Sequence, residues 1–166
     1  ADPSDGTRKV GESVVVTLTA SELGLAAGAA ASTINDIDVT STFVGSGTEY
    51  SYTYTVAEGH TERALNALPI SLSLQDAAGN EVTHTTLASS PSISATTPTV
   101  SGATADPFEW TRKVGQSVTV TLTASESGLS KGASGSTING VDVESSVREQ
   151  PTNLHNAAAW WCLIGA

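Results

Sequence analysis

Residues Ser13–Ala20 read SVVVTLTA, and residues Ser117–Ala124 read SVTVTLTA. In the first, Val14, Val16, Leu18 and Ala20 share one parity, and Val15, Thr17 and Thr19 share the other. Two residues is the side-chain period of a strand, so this alternation predicts a strand with one buried face. Valine and threonine suit that pleated, half-buried surface. The face carrying Val14, Val16 and Leu18 is expected inside.

Working outward, both strands sit in one longer repeat. ADPSDGTRKVGESVVVTLTASELGL (residues 1–25) returns as ADPFEWTRKVGQSVTVTLTASESGL (residues 105–129), 104 positions later and without a gap. Ser32-Thr33-Ile34-Asn35 returns as Ser136-Thr137-Ile138-Asn139, and Asp38-Val39 as Asp142-Val143. Residues 1–43 match 105–147 at 28 of 43 positions. A period this long exceeds that of a solenoid and indicates tandem domains, each with its own core. The expected division is a first unit over 1–96 and the front of a second over 97–147. The join, LASSPSISATTPTVSGATADP, is rich in Ser, Thr and Pro, as linkers are. A strand over Thr99–Thr104 precedes the second ADP, so the first unit is expected to lack the matching strand before Ala1. Residues 148–166 break the repeat and hold the single Cys and two of the three Trp. They read as foreign to the domain, a frameshift, chimeric junction or vector-derived tail that does not complete the second unit; the alternative is a C-terminal cap in which Trp160 and Trp161 cover an exposed sheet.

Further strands follow from the same period. Glu49–Val56 (EYSYTYTV) aligns Tyr50, Tyr52, Tyr54 and Val56, and PISLSLQ aligns Ile70, Leu72 and Leu74. Shorter strands are expected at Ile34–Val39 and Glu81–Thr86. Asp76-Ala77-Ala78-Gly79-Asn80 reads as a hairpin turn, and Gly45-Ser46-Gly47 as another. Helix signals are nearly absent; the Ala-rich run 26–31 is short and Gly24 and Gly28 interrupt it. These elements predict an all-β, antiparallel sandwich.

Composition narrows the function classes. Charged residues make up 14% of the chain, 17 acidic against 7 basic, for a formal charge of −10. Such a surface repels phosphate backbones and anionic lipid, so nucleic-acid binding is not expected. No apolar run reaches the roughly 18 residues of a membrane span. One Cys permits no intrachain disulfide. Met is absent even at position 1, which is expected of a fragment or a processed form.

GTRKVGESVVVTLTASE (Gly6–Glu22), GSGTEYSYTYTVAEG (Gly45–Gly59) and ISLSLQDAAGN (Ile70–Asn80) together resemble a bacterial immunoglobulin-like domain. The resemblance spans the first unit and the second as far as Val147. It implies an immunoglobulin-like sandwich from a tandem array in a bacterial surface or secreted, adhesin-like protein. There such repeats act as spacers whose partners are the neighbouring repeats, and some arrays hold calcium at the joins.

His60, His84 and His155 lack metal-ligand spacing, and neither a nucleophile elbow nor a phosphate loop occurs; the chain is therefore expected not to be an enzyme. Calcium takes six to eight oxygen ligands, and carboxylates beside turns supply them. Asp76 and Asn80 at the hairpin, with Asp106 after the linker, are the candidate calcium ligands. Tyr50, Tyr52 and Tyr54 are candidate ligand residues only if exposed, as a strip stacking on sugar rings; as core residues they would extend their hydroxyls to the sandwich rim. The leading expectation is an extracellular or cell-surface spacer. The alternatives are a module binding carbohydrate or a host protein, and an accessory domain of a secreted hydrolase.

Overall fold

A computed structural model of the chain describes residues 1–108, 111–126, 129, 135–143, 148–150 and 158–164. It divides into two compact units, Ala1–Thr97 and Pro98–Ala166. The first unit runs β1 (Thr7–Lys9), β2 (Ser13–Thr19), β3 (Ala26–Ala27), β4 (Thr33–Ile34), β5 (Ile37–Asp38), a 3-10 turn over Thr40–Thr42, β6 (Val44–Ser46), β7 (Glu49–Thr55), β8 (Ile70–Gln75), β9 (Glu81–His84) and β10 (Ser92–Ser94).

These strands form a β-sandwich. One layer has the order β2-β7-β6, with Val14 opposite Tyr54, Val16 opposite Tyr52 and Leu18 opposite Tyr50. The other is centred on β8, which pairs antiparallel with β9 on one side and with β3 and β4 on the other. The chain enters beside β2 through a two-way bridge between Asp2 and Val15. It then continues into β1, which pairs in parallel with β10.

The parity read from the sequence is the parity observed. Val14, Val16, Tyr52, Val56, Ile70, Leu72 and Leu74 are buried, and Leu18 packs against them half-buried. Thr17 and Thr19 are exposed. A one-residue slip would invert this assignment, so the buried face fixes the register. Ile34, Val39, Leu68 and Ile93 complete the core.

Three local features differ from the sequence reading. Ile34–Val39 is not one strand but the hairpin β4–β5, turned by Asn35 (φ 56°) and Asp36 (φ 63°). Two successive positive φ values define the type I′ turn that matches strand twist. The turn between β6 and β7 lies at Gly47-Thr48, with Ser46 opposite Glu49, and shares only Gly47 with the expected turn. The Ala-rich run carries β3, and Gly28 is buried where an added Cβ would overlap the side chains of Ser73 and Glu81. Gly28 N–H donates to the Ser73 carbonyl at 2.9 Å, so the missing side chain is what lets this strand close on β8.

The second unit contains β11 (Val100–Asp106), β12 (Val118–Ala124), β13 (Thr137–Ile138), β14 (Val141–Asp142), β15 (Arg148–Gln150) and β16 (Ala158–Ile164). The strand expected over Thr99–Thr104 is β11, paired antiparallel with β12. The hairpin β13–β14 repeats the turn of β4–β5, here with Asn139 (φ 50°) and Gly140 (φ 77°). The tail is not wholly outside the fold. β16 pairs with β12 in the place that β7 takes beside β2, and β15 pairs with β16. The edge of β12 opposite β11 has backbone groups to satisfy, and the apolar run AAWWCLI is a strand-forming sequence that can satisfy them. Residues 151–157, 165 and 166 of the tail lie outside the described residues. Among the described residues, Ala124 and Val143 are the buried apolar ones of this unit, and no strand corresponds to β8.

Leu72 has no exposed surface and sits on the central strand of its layer. Leu72→Ala is expected to cost about 2–5 kcal/mol, as large-to-small core changes do. Urea unfolding followed by tyrosine fluorescence of the first unit checks it; a cost below about 1 kcal/mol would mean that β8 is not central to the core.

Candidate functional site

Strand β7 decides what its tyrosines can do. Tyr50, Tyr52 and Tyr54 are exposed by only 2%, 0% and 1%, so their ring faces cannot stack on a sugar. The condition on the exposed strip is not met, because the alternation that aligns them also aligns them with Val56 on the inner face. Nor do the hydroxyls emerge at the rim. Tyr52 donates to the Ser73 carbonyl of the facing layer at 2.6 Å. Tyr50 Oη lies 2.9 Å from the Gly47 carbonyl and 3.1 Å from that of Glu22, and accepts from Leu25 N–H at 3.1 Å. Burial pushes the pKa of the Tyr52 and Tyr54 phenols up.

Tyr54 ends in a polar network that the sequence did not announce. The type I′ turn places Asn35, only 1% exposed, beneath the loop that follows β7. Asn35 Nδ2 donates to Tyr54 Oη at 2.9 Å and to the Thr61 carbonyl at 2.8 Å. Its Oδ1 accepts from Arg63 Nε at 2.7 Å, and Arg63 reaches Asp36 Oδ2 at 2.6 Å. His60 Nδ1 accepts from Ala57 N–H at 3.1 Å and meets Tyr54 Oη at 3.0 Å, which leaves the ring proton of neutral His60 on Nε2. Every polar atom of the Asn35 side chain is thereby used, as burial demands. The available signal was Asn-Asp in one unit and Asn-Gly in the other, both I′ dipeptides.

The acidic hairpin forms as expected, with Gln75 opposite Glu81. Asp76 Oδ1 accepts from Ala78 N–H at 2.9 Å and Asn80 N–H at 2.8 Å, and Oδ2 accepts from Asn80 Nδ2 at 2.7 Å. These bonds, that from the Asn80 side chain foremost, hold the Asp76 carboxyl below the usual carboxylate range. Glu81 is lowered too, by the Ser73 hydroxyl and then Ala30 N–H.

The structure thus brings Asp76 and Asn80 together, but not as a calcium site. The carboxylate oxygens already accept three hydrogen bonds that close the turn, and calcium needs six to eight oxygens. Asp106 belongs to the second unit, in the ladder opposite Thr119. Among the described residues no group of three or more His, Cys, Asp or Glu is placed to hold a metal. The donor set does not fit the ion.

What these residues do border is a groove. It has a volume of about 560 Å³ and lies between the edge of β2 and the β8–β9 hairpin. Leu18, Leu72 and Leu74 give it an apolar floor, and Glu22, Asp76 and Glu81 an acidic rim. Compared with protein-family models, curated proteins and solved structures, the chain matches none. The class of protein is therefore drawn from its own geometry: an all-β protein whose first unit is a β-sandwich.

Two outcomes follow. Asn35→Ala removes the hub and leaves Tyr54 and the Thr61 carbonyl short of a partner. It is expected to cost about 1–3 kcal/mol, read from urea unfolding, and Asn35→Asp should not restore the bond to Thr61. Lowered carboxyl groups such as Asp76 and Glu81 stabilise the fold fully above their unfolded values, near pH 4. That contribution is lost as pH falls through the lower folded values. Melting temperature should therefore drop as pH falls below about 4. Asp76→Ala should lower the melting temperature at pH 7, flatten that drop, and act equally with millimolar calcium or with a chelator; a calcium-dependent difference would restore a cation to the turn.

Proposed function

We propose that the chain is a non-catalytic spacer module from a tandem, immunoglobulin-like array of a bacterial surface or secreted, adhesin-like protein. The observation that carries this reading is the gap-free repeat at an offset of 104 residues, matched over 1–43 and 105–147, with the long strand and the two-residue hairpin recurring in both units. β2 and β12 differ at one aligned position, Val15 against Thr119, Asp2 pairs with Val15 as Asp106 pairs with Thr119, and the Asn-turned hairpins β4–β5 and β13–β14 match. Duplication of a whole folding unit lengthens a protein in fixed steps.

The side chains support the same reading. The aromatic strip is spent on the core, and the acidic turn on its own hydrogen bonds. No helix among the described residues is long and apolar enough to cross a membrane. A net charge of −10 keeps neighbouring rods apart in solution. The expected setting is extracellular or on the cell surface, with neighbouring repeats as partners. The tyrosine burial removes the feature that favoured a sugar-binding face.

Single-molecule pulling on an array of four or more 104-residue blocks tests the reading. Each block should unfold in a discrete event that releases on the order of 300 Å of chain, at about 3.5 Å per residue less the folded length. An array that stretches without discrete events would overturn the spacer role. Turnover of a glycan by the purified chain would do the same.

A further inference from the structure

Among the described residues, one strand pair of the first unit is parallel, and it joins the two ends of that unit. β1 lies against β10 with Thr7 opposite Ser92, Arg8 opposite Ile93 and Lys9 opposite Ser94. Thr7 and Ser92 stand 85 positions apart in the chain. Side chains bond this pair as well as backbone. Ser92 N–H donates to the Gly6 carbonyl at 2.9 Å. Ser92 Oγ donates to the same carbonyl at 3.1 Å and lies 2.8 Å from Thr7 Oγ1.

β10 is the seated member of the pair. Ile93 and Ala95 are 3% and 0% exposed. On the edge away from β1, Ile93 exchanges both backbone bonds with Arg63, at 2.8 and 3.1 Å, and the Ala95 carbonyl accepts from Gly59 N–H at 2.9 Å. Beyond it, Thr97 donates through its N–H and its hydroxyl to the Glu58 carboxylate. β1 instead exposes Thr7 and Lys9. It is followed by a turn in which Glu12 N–H donates to the Lys9 carbonyl at 3.0 Å.

We propose that β1 and β10 form a mechanical clamp: load along the chain crosses in shear from Thr7–Lys9 to Ser92–Ser94, and the sandwich unfolds only after this pair slips. The clamp rests on the spacer reading for its use. Pull from the N-terminal side reaches β1 at its Thr7 end, past the two bonds of the Asp2–Val15 bridge, whatever chain precedes Ala1. Pull from the C-terminal side reaches β10 at its Ser94 end. In a parallel pair these pulls run along the strands in opposite directions, so the evenly spaced bonds across the pair are loaded together. An antiparallel pair pulled from its two adjacent ends opens one bond at a time. While the clamp holds, the segment between Lys9 and Ser92, tyrosine strand included, lies off the load path. Forced unfolding is governed by the unfolding rate rather than by equilibrium stability. A few bonds at the ends of the unit can therefore set its resistance.

The test is constant-force pulling on the full chain held at its two ends, the first unit's event being marked by a release on the order of 300 Å. Ser92→Ala removes the hydroxyl bonds to Gly6 and Thr7. Ser13→Ala removes a bond of the same kind off the load path, from Ser13 Oγ to Thr55 Oγ1 at 2.9 Å between β2 and β7. A bond that breaks at the barrier passes its loss into the rupture rate, and one still made there passes none. At fixed force the first unit should rupture at least about fivefold faster with Ser92→Ala, and within about twofold of the parent rate with Ser13→Ala. Thr7→Val removes one of the two bonds and should fall between them. Urea unfolding of the same variants gives the equilibrium loss, and the acceleration with Ser92→Ala should account for most of its own. An unchanged rupture rate with Ser92→Ala, or one matched by Ser13→Ala, would overturn the clamp while discrete unfolding left the spacer reading in place. Stretching without a discrete event would overturn both.

Discussion

The first unit depends on burying three tyrosines in a row without stranding a hydroxyl. A phenol in an apolar layer costs free energy unless its oxygen is bonded, and each of the three finds its partner in a different part of the chain. Tyr52 reaches the backbone of β8 and so ties one layer to the other. Tyr50 gathers Glu22, Leu25 and Gly47, which holds the segment after β2 against the turn before β7. Tyr54 meets Asn35 and His60, which fixes the β4–β5 hairpin under the loop that follows β7. The strand that looks most like a binding platform in sequence is the internal frame of the sandwich.

The same constraint explains why the polar residues do structural work. Asn35 serves Tyr54, Thr61 and Arg63 together, so its left-handed backbone and its amide act on the same problem. Asp76 closes its turn with every bond it accepts. Glu81 is held by Ser73 and Ala30, in the space that Gly28 leaves by having no side chain.

Comparison of the two units shows how much one strand changes its surroundings. With the same hexapeptide, TLTASE, and the same starting bridge, β12 has β11 along its outer edge, and among the described residues β2 pairs there through Asp2. In the second unit the opposite edge is occupied by β16 from the non-repeat tail. An open edge recruits whatever extended chain is near, because each unpaired ladder group gains a hydrogen bond by doing so. The sequence break after Val147 therefore did not mark the end of the sheet.

The sequence by itself determined the class of fold, the repeat, and the inner face of each long strand. Alternation in SVVVTLTA, EYSYTYTV and PISLSLQ is a property of successive residues, and a period of two leaves only one face to bury. The DAAGN turn was legible for the same reason, since its chemistry is local. Contacts between distant segments decided the rest. Whether Tyr50, Tyr52 and Tyr54 faced sugar or core depended on a second layer coming over them, and where their hydroxyls ended depended on Ser73, Asn35 and Gly47. Whether Asp76 and Asn80 were free to hold an ion depended on the bonds they make to each other once the hairpin closes. The groove exists only because β2 and the β8–β9 hairpin, more than fifty residues apart in the chain, meet in space.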